Sequence, residues 1–222
     1  MPRLARVVLP GVPHHVTQRG NRREPVFFRD EDYTRYLHWV GQYARKAGTE
    51  VLAYCLMPNH VHLILVPQDE DGLRACVSEA HRRYTQHVNQ REDWTGHLWQ
   101  GRFHSFPMEE SHLLQAMRYV ELNPVQGGLV SDPADWPWSS ARAHLTGRDD
   151  PLVDPASARE LVDDWAGYLA ERLPERIALD LERHMRTGRP LGTEDFIKDA
   201  ERRLGRKLQR RKPGPKPKAR EK

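Results

Sequence analysis

Residues 14–19 (HHVTQR) form a short β-prone run that ends at Gly20-Asn21, a turn-forming pair. The period then changes. Asp30 stands as an N-cap, and Tyr33, Tyr36, Leu37, Val40, Tyr43, Ala44 and Ala47 recur at helical spacing until Gly48 stops the helix. Glu50 to Met57 and His60 to Val66 are rich in β-formers and meet at Pro58-Asn59, which predicts a hairpin or two strands with a kink between them. A second helix is predicted from Gly72 to about Gln90, with Leu73, Val77, Ala80, Tyr84 and Val88 on one side. The aromatic-dense stretch from His97 to Met108 predicts a fourth strand, and a third helix follows from about Ser111 to Asn123, ended by Pro124.

The order β-α-β-β-α-β is the split ferredoxin-like arrangement, an α+β fold in which helices cover one face of a small antiparallel sheet. The third helix is an addition that must also pack against that sheet. Beyond Gly128, Asp135 to Ser140 reads as a turn before a short helix to Leu145. Residues 155–186 read as one or two amphipathic helices broken at Pro174, and Thr193 to Leu204 as another. This divides the chain into a first domain over residues 1–147, a helical extension over 148–205 and a basic, Pro-rich tail over 206–222, expected to be disordered without a partner.

Charge sharpens the division. Residues 201–222 hold 11 of the 35 Lys and Arg residues but only 2 of the 31 Asp and Glu residues, so a basic end is carried on a net acidic body. Such asymmetry favours an electrostatic arm along nucleic acid, with Arg210, Arg211 and Lys212 at its start, over a merely solubilising end. Within the first 150 residues Lys46 is the lone lysine among the bases, and arginine forks onto phosphates and base edges where lysine acts as a point charge. No stretch is long enough to span a bilayer, no signal peptide is read, and Cys55 and Cys76 are expected to be free buried thiols. A cytoplasmic protein, nucleoid-associated when bound to DNA, is the expectation.

Eleven of the twelve histidines also fall in those first 150 residues, which directs the search for metal chemistry there. In His60-Val61-His62, positions i and i+2 of a strand share a face, so both imidazoles can reach one divalent cation. In MRYVELNP, Tyr119 and Asn123 are separated by one helical turn and point the same way. A chance pair of histidines, a core tyrosine and a helix-end asparagine would each account for one element alone. Together, two imidazoles and an amide oxygen can hold a cation with open positions, beside a phenol placed to attack a phosphate.

HVTQRGNR, CLMPNHVHLIL, LWQGRF, MRYVELNPVQGGLV and WPWSSA occur in this order and resemble the single-tyrosine HUH transposases, in particular the REP-associated tyrosine transposases of bacteria. The resemblance covers roughly residues 1–145. It implies that His60, His62 and Asn123 bind Mg²⁺ or Mn²⁺ and that Tyr119 is the nucleophile, giving a 5′-phosphotyrosine intermediate and a free 3′-OH. It also implies recognition of hairpin-forming repeats in single-stranded DNA, by a monomer or a homodimer. One departure concerns a Gly-Thr-Pro-Ser type element, linked in one subgroup to reading a guide sequence; GVPHHVTQRGNR stands in its place.

Arg19, Arg22 and Arg23 are candidate clamps for phosphate or a base, against a solvated polar turn, and Gln18 is a candidate reader of a base edge. On a predicted strand, alternation separates Trp99 and Phe103 from Gln100 and Arg102, so that one pair faces the core and the other the substrate. His104, and one of His14 and His15, are further candidates for the metal-bearing surface. The competing reading of the whole chain is a domesticated, non-catalytic DNA-binding protein, regulatory or architectural. A third is a metal-dependent hydrolase that uses water in place of Tyr119.

Overall fold

The computed structural model describes residues 5–209, with the side chains of residues 158 and 159 left out. Arg210, Arg211 and Lys212, and the predicted disordered tail with them, lie outside the described residues. Four strands, β1 (His14–Arg19), β2 (Glu50–Met57), β3 (His60–Val66) and β4 (His104–Pro107), form one antiparallel sheet in the order β2-β3-β1-β4. Helix α1 (Asp30–Lys46) links β1 to β2, and α2 (Glu79–Glu92), entered through a π-helical turn at Arg74–Ser78, links β3 to β4. This is the expected ferredoxin-like α+β arrangement.

Alternation along the strands sends two sets of side chains into two different cores. Val16, Leu56, Val61, Leu63 and Leu65 pack with Tyr36, Leu37 and Val40 of α1 and Ala80, Tyr84 and Val88 of α2. On the other face Ala53, Cys55, Met57, Ile64 and Phe106 pack with Leu113, Ala116, Met117 and Val120 of α3 (Leu113–Glu121). The sheet is therefore covered on both faces, where the strand pattern alone suggested one. The second layer is completed by Trp165 and Leu169 of α7 (Trp165–Ala170) and Leu181 of α8 (Glu175–Thr187).

Two boundaries differ from the sequence reading. Residues 97–103 are irregular, and the fourth strand is confined to His104–Pro107. Gly96 and Gly101 sit at φ +95° and +69°, in the left-handed region that breaks a strand. Pro124 does not end the helical path. A kink at Leu122 lets a new turn, α4 (Asn123–Gln126), begin with the proline in its first turn, where a missing N–H costs nothing.

The edges of the sheet are closed by sequence-distant segments. Along β2, Leu56 N donates to Trp138 O (2.8 Å) and Ser140 N to Tyr54 O (3.0 Å). Beside β4, Leu191 N donates to Pro107 O (2.9 Å) and Glu109 N to Leu191 O (2.8 Å). Two short helices flank these ties, α5 (Ala141–Thr146) and α6 (Pro155–Leu161). Helix α9 (Glu194–Leu204) packs Ala200 against Val7 and Leu9. Among the described residues no helix is long and apolar enough to cross a membrane.

One buried polar cluster fastens α3 to the β2 edge. The Glu121 carboxylate, fully buried, accepts from Ser140 Oγ at 2.6 Å and lies 2.5 Å from His144 Nδ1. Removing one member of such a cluster leaves the others buried without a partner. Glu121→Ala is therefore expected to cost roughly 3 kcal/mol of stability, measured by denaturant unfolding. A loss indistinguishable from zero would show that the cluster does not hold the helix.

Candidate active site

The same alternation that builds the two cores places His60 and His62 on the α3 side while Val61 enters the α1/α2 side. Helix α3 lays Tyr119 against them, and the following turn brings Asn123. The ring centroids of His60 and His62 are 5.0 Å apart, and those of His62 and Tyr119 are 5.8 Å apart. A cavity of about 720 Å³ is bounded by His60, His62, Tyr119 and Asn123, all from one chain.

The donor atoms can be assigned from the hydrogen bonds. His60 Nδ1 is 2.6 Å from Asn59 Oδ1, an acceptor, so Nδ1 carries the proton and Nε2 keeps its lone pair. Asn123 Nδ2 donates to Tyr119 O at 3.3 Å, and the Asn123 side chain also hydrogen-bonds His60. His62 Nδ1 lies 2.9 Å from His15 Nε2. The contact orients the His62 ring, and in the tautomer that donates from Nδ1 to His15 its Nε2 carries the lone pair. Two neutral imidazoles and an amide oxygen fit a divalent ion that retains open positions.

Burial sets the protonation states. It lowers His60 to about 4, helped by the positive charge of Arg19, and it holds His62 well below its ordinary value, helped by His15, His60 and Arg19. Both imidazoles are neutral at pH 7, as metal binding requires. Tyr119, 9% exposed, is shifted in the opposite sense: burial and the Glu182 carboxylate raise its phenol, opposed by Asn123 and Arg19.

The other sequence candidates separate. Arg19, Arg23 and Gln100 line the cavity. Arg22 is exposed and outside its lining, although it belongs to the same turn. Arg22 and Arg23 occupy left-handed backbone (φ 55° and 67°), uncommon for residues other than glycine. Asn59 Nδ2 donates to Arg23 O (3.0 Å) and holds this turn against the hairpin of β2 and β3. A Cβ on Gly20 would lie 2.2 Å from Glu24 O, so only glycine permits so tight a return. Arg102 is not in the cavity. Because residues 97–103 are not a strand, strict alternation does not pair it with Gln100; Arg102 lines a neighbouring groove, while Trp99 and Phe103 are core residues.

Two contributions, Thr17 and the α8 wall, were not singled out from sequence, and a third was left as one of a pair. Thr17 pairs with His62 on one side and His104 on the other, so a polar row crosses three strands on the α3 face. The β-strand register carries that signal, but only once strand neighbours are known. Glu182, Met185 and Arg186 of α8 complete the wall, and nothing in their amphipathic pattern marks them apart. His15, one of two adjacent candidates, is the one that meets His62, whereas His14 turns away to Val12 O (2.7 Å) and Leu9 N (3.2 Å).

Comparison with known proteins agrees with this architecture. A REP-associated tyrosine transposase of Escherichia coli is 24% identical over 152 residues, covering 68% of this chain and 82% of that protein. A protein of Haemophilus influenzae described as a REP-associated tyrosine transposase is 26% identical over 102 residues, covering 41% of this chain and 58% of its own length. The solved structure of a REP-associated tyrosine transposase bound to a REP hairpin shares the fold, with a TM-score of 0.53 at 23% identity, over 68% of this chain and 90% of that one. The profile of the family described as "Transposase IS200 like" matches residues 10–123, just over half of the chain. The chain belongs to the IS200-like transposase family.

Proposed function

We propose that the protein cleaves and rejoins single-stranded DNA at hairpin-forming repeats, with Tyr119 as nucleophile and His60, His62 and Asn123 holding Mg²⁺ or Mn²⁺. The observation that carries this is the meeting of a phenol, two neutral imidazoles and an amide oxygen around one cavity. Tyr119 Oη attacks the scissile phosphorus, the new O–P bond replaces the bond to the 3′ oxygen, and that oxygen leaves as a 3′-OH after taking a proton. The phosphodiester energy is kept in the tyrosyl ester, so a second 3′-OH can reverse the step and join a new strand. A divalent cation bound there supplies Lewis-acid polarisation of the phosphate. Arg19 and Arg23 set positive charge beside the same cavity and orient the strand. The basic residues after 200 add sequence-independent, salt-sensitive attraction.

His60, His62, Tyr119 and Asn123 of one chain line the cavity, which supports a site completed in cis, whether in a monomer or in each copy of a homodimer. A domesticated DNA-binding protein would keep the arginines without needing the neutral imidazole pair to face the phenol.

Labelled single-stranded oligonucleotides carrying candidate hairpin repeats, incubated with the protein and Mn²⁺, are expected to yield an adduct stable to SDS. Tyr119→Phe should abolish it. His60→Ala and His62→Ala should each lower its rate by at least about a hundredfold, the scale on which such groups act. Salt-sensitive binding without adduct would support the domesticated protein, and cleavage that survives Tyr119→Phe would support water as nucleophile.

Because burial raises the Tyr119 phenol above its usual value near 10, it keeps its proton throughout the neutral range. The adduct rate in the single-turnover regime is therefore expected to rise with pH from 7 to 9. A rate flat across that range would mean that loss of the phenolic proton does not limit the step.

A further inference from the structure

A second cavity, of about 620 Å³, lies across the sheet from Tyr119, between α2 and the irregular segment at residues 96–103. Gln18 lines both cavities. They are also joined around the short β4 edge by a groove that shares Arg6, Arg102 and Phe103 with the second cavity and His104 and Arg186 with the first. The groove therefore lies between the two cavities.

Its lining is polar and basic. Arg6 is held with its guanidinium 3.5 Å above the Phe103 ring, and its Nη2 donates to Phe103 O at 3.0 Å. Burial, and to a lesser degree the neighbouring charge of Arg102, lowers Arg6 to about 10. Among the described residues no ion pair to a carboxylate is made by Arg6, Arg102 or Arg186. Like charges placed together without an acid between them are stabilised by an anion. Deeper in, Gln18 Oε1 and Trp99 Nε1 are buried without partners, and Gln18 is only 2% exposed. One is an acceptor and one a donor, and both residues line the cavity.

We infer that this cavity is a nucleotide subsite, resting on the single-stranded DNA activity proposed above. It takes one splayed base of the strand whose phosphodiester lies at Tyr119, with the base edge toward Gln18 and Trp99 and the adjoining phosphate on Arg6 and Arg102. An arginine plane seated on an aromatic ring is also a surface on which a base stacks. The subsite lies on the opposite face of the sheet from the cleaved bond, so it reads a flanking position and not the scissile step.

The test is an abasic scan. Oligonucleotides that lack one base at a time are titrated against the full chain carrying Tyr119→Phe, which blocks covalent capture, and binding is followed by fluorescence anisotropy. One position, separated from the cleaved bond, is expected to lose about tenfold in affinity when its base is missing. Ser78→Phe, which fills the cavity from its α2 wall, should bind the intact and abasic strands equally at that position. Arg6→Gln should weaken both strands alike and reduce the slope of log affinity against log salt by about one. A flat scan, with tight binding and normal adduct formation by the Tyr119 chain, would overturn the subsite and leave the cleavage activity standing. A sensitive position that persists in Ser78→Phe would place the base elsewhere and overturn it too. If Ser78→Phe melts early, Arg6→Gln decides, and an unchanged salt slope counts against the subsite. No binding and no adduct at all would instead refute the DNA-cleaving activity, and the subsite with it.

Discussion

The structure depends on burying one sheet on both faces. Strand β3 must give Val61, Leu63 and Leu65 to one core and His60, His62 and Ile64 to the other, and a slip of one residue would exchange the two sets. That constraint fixes the imidazoles under α3. Burial then makes them neutral, the hydrogen bonds of His15 and Asn59 orient their rings, and α3 and the turn after it supply the phenol and the amide. The chemistry proposed for the site is a consequence of this packing. The histidines are electron-pair donors at neutral pH because they are held where a charged ring is disfavoured.

Helix α3 is consequently more than an added layer. Its apolar residues close the second core, while Glu121 ties it to Ser140 and His144 at the β2 edge, two residues after Tyr119. The segment Trp136 to Ser140, which carries that tie, also hydrogen-bonds along β2 and covers its edge. Fixing the helix and protecting the sheet are one operation. The helices beyond residue 150 reach the same centre from the other side, since α8 contributes Glu182, Met185 and Arg186 to the cavity wall. Glu182 opposes ionisation of Tyr119 and Arg19 favours it, so the phenol sits between a carboxylate from the extension and a guanidinium from β1.

Much of this was legible in the chain because local rules governed it. The strands around Pro58-Asn59, the first helix and its stop at Gly48, and the shared face of His60 and His62 all follow from two-residue and helical periods. What was not legible depended on tertiary context. The stretch from His97 to Phe103 is rich enough in aromatics to pass for a strand, yet Trp99 and Phe103 are buried against α1 and α2 from irregular backbone, with glycines in left-handed turns. Pro124 reads as a helix stop, but a kink one residue before Asn123 turns it into a helix start. His15 was one of an adjacent pair of candidates and His104 a candidate by position alone until the strand order set Thr17 between His62 and His104, and no periodic signal placed Glu182 or Arg186 at the site.

Convergence of His60, His62 and Asn123 on one cation beside Tyr119 can be seen by anomalous diffraction from crystals soaked in Mn²⁺. A single strong peak is expected in the cavity, bonded to Nε2 of both imidazoles and to Asn123 Oδ1, and absent from crystals of His62→Ala. A peak bound elsewhere, or none at these atoms at saturating Mn²⁺, would contradict it.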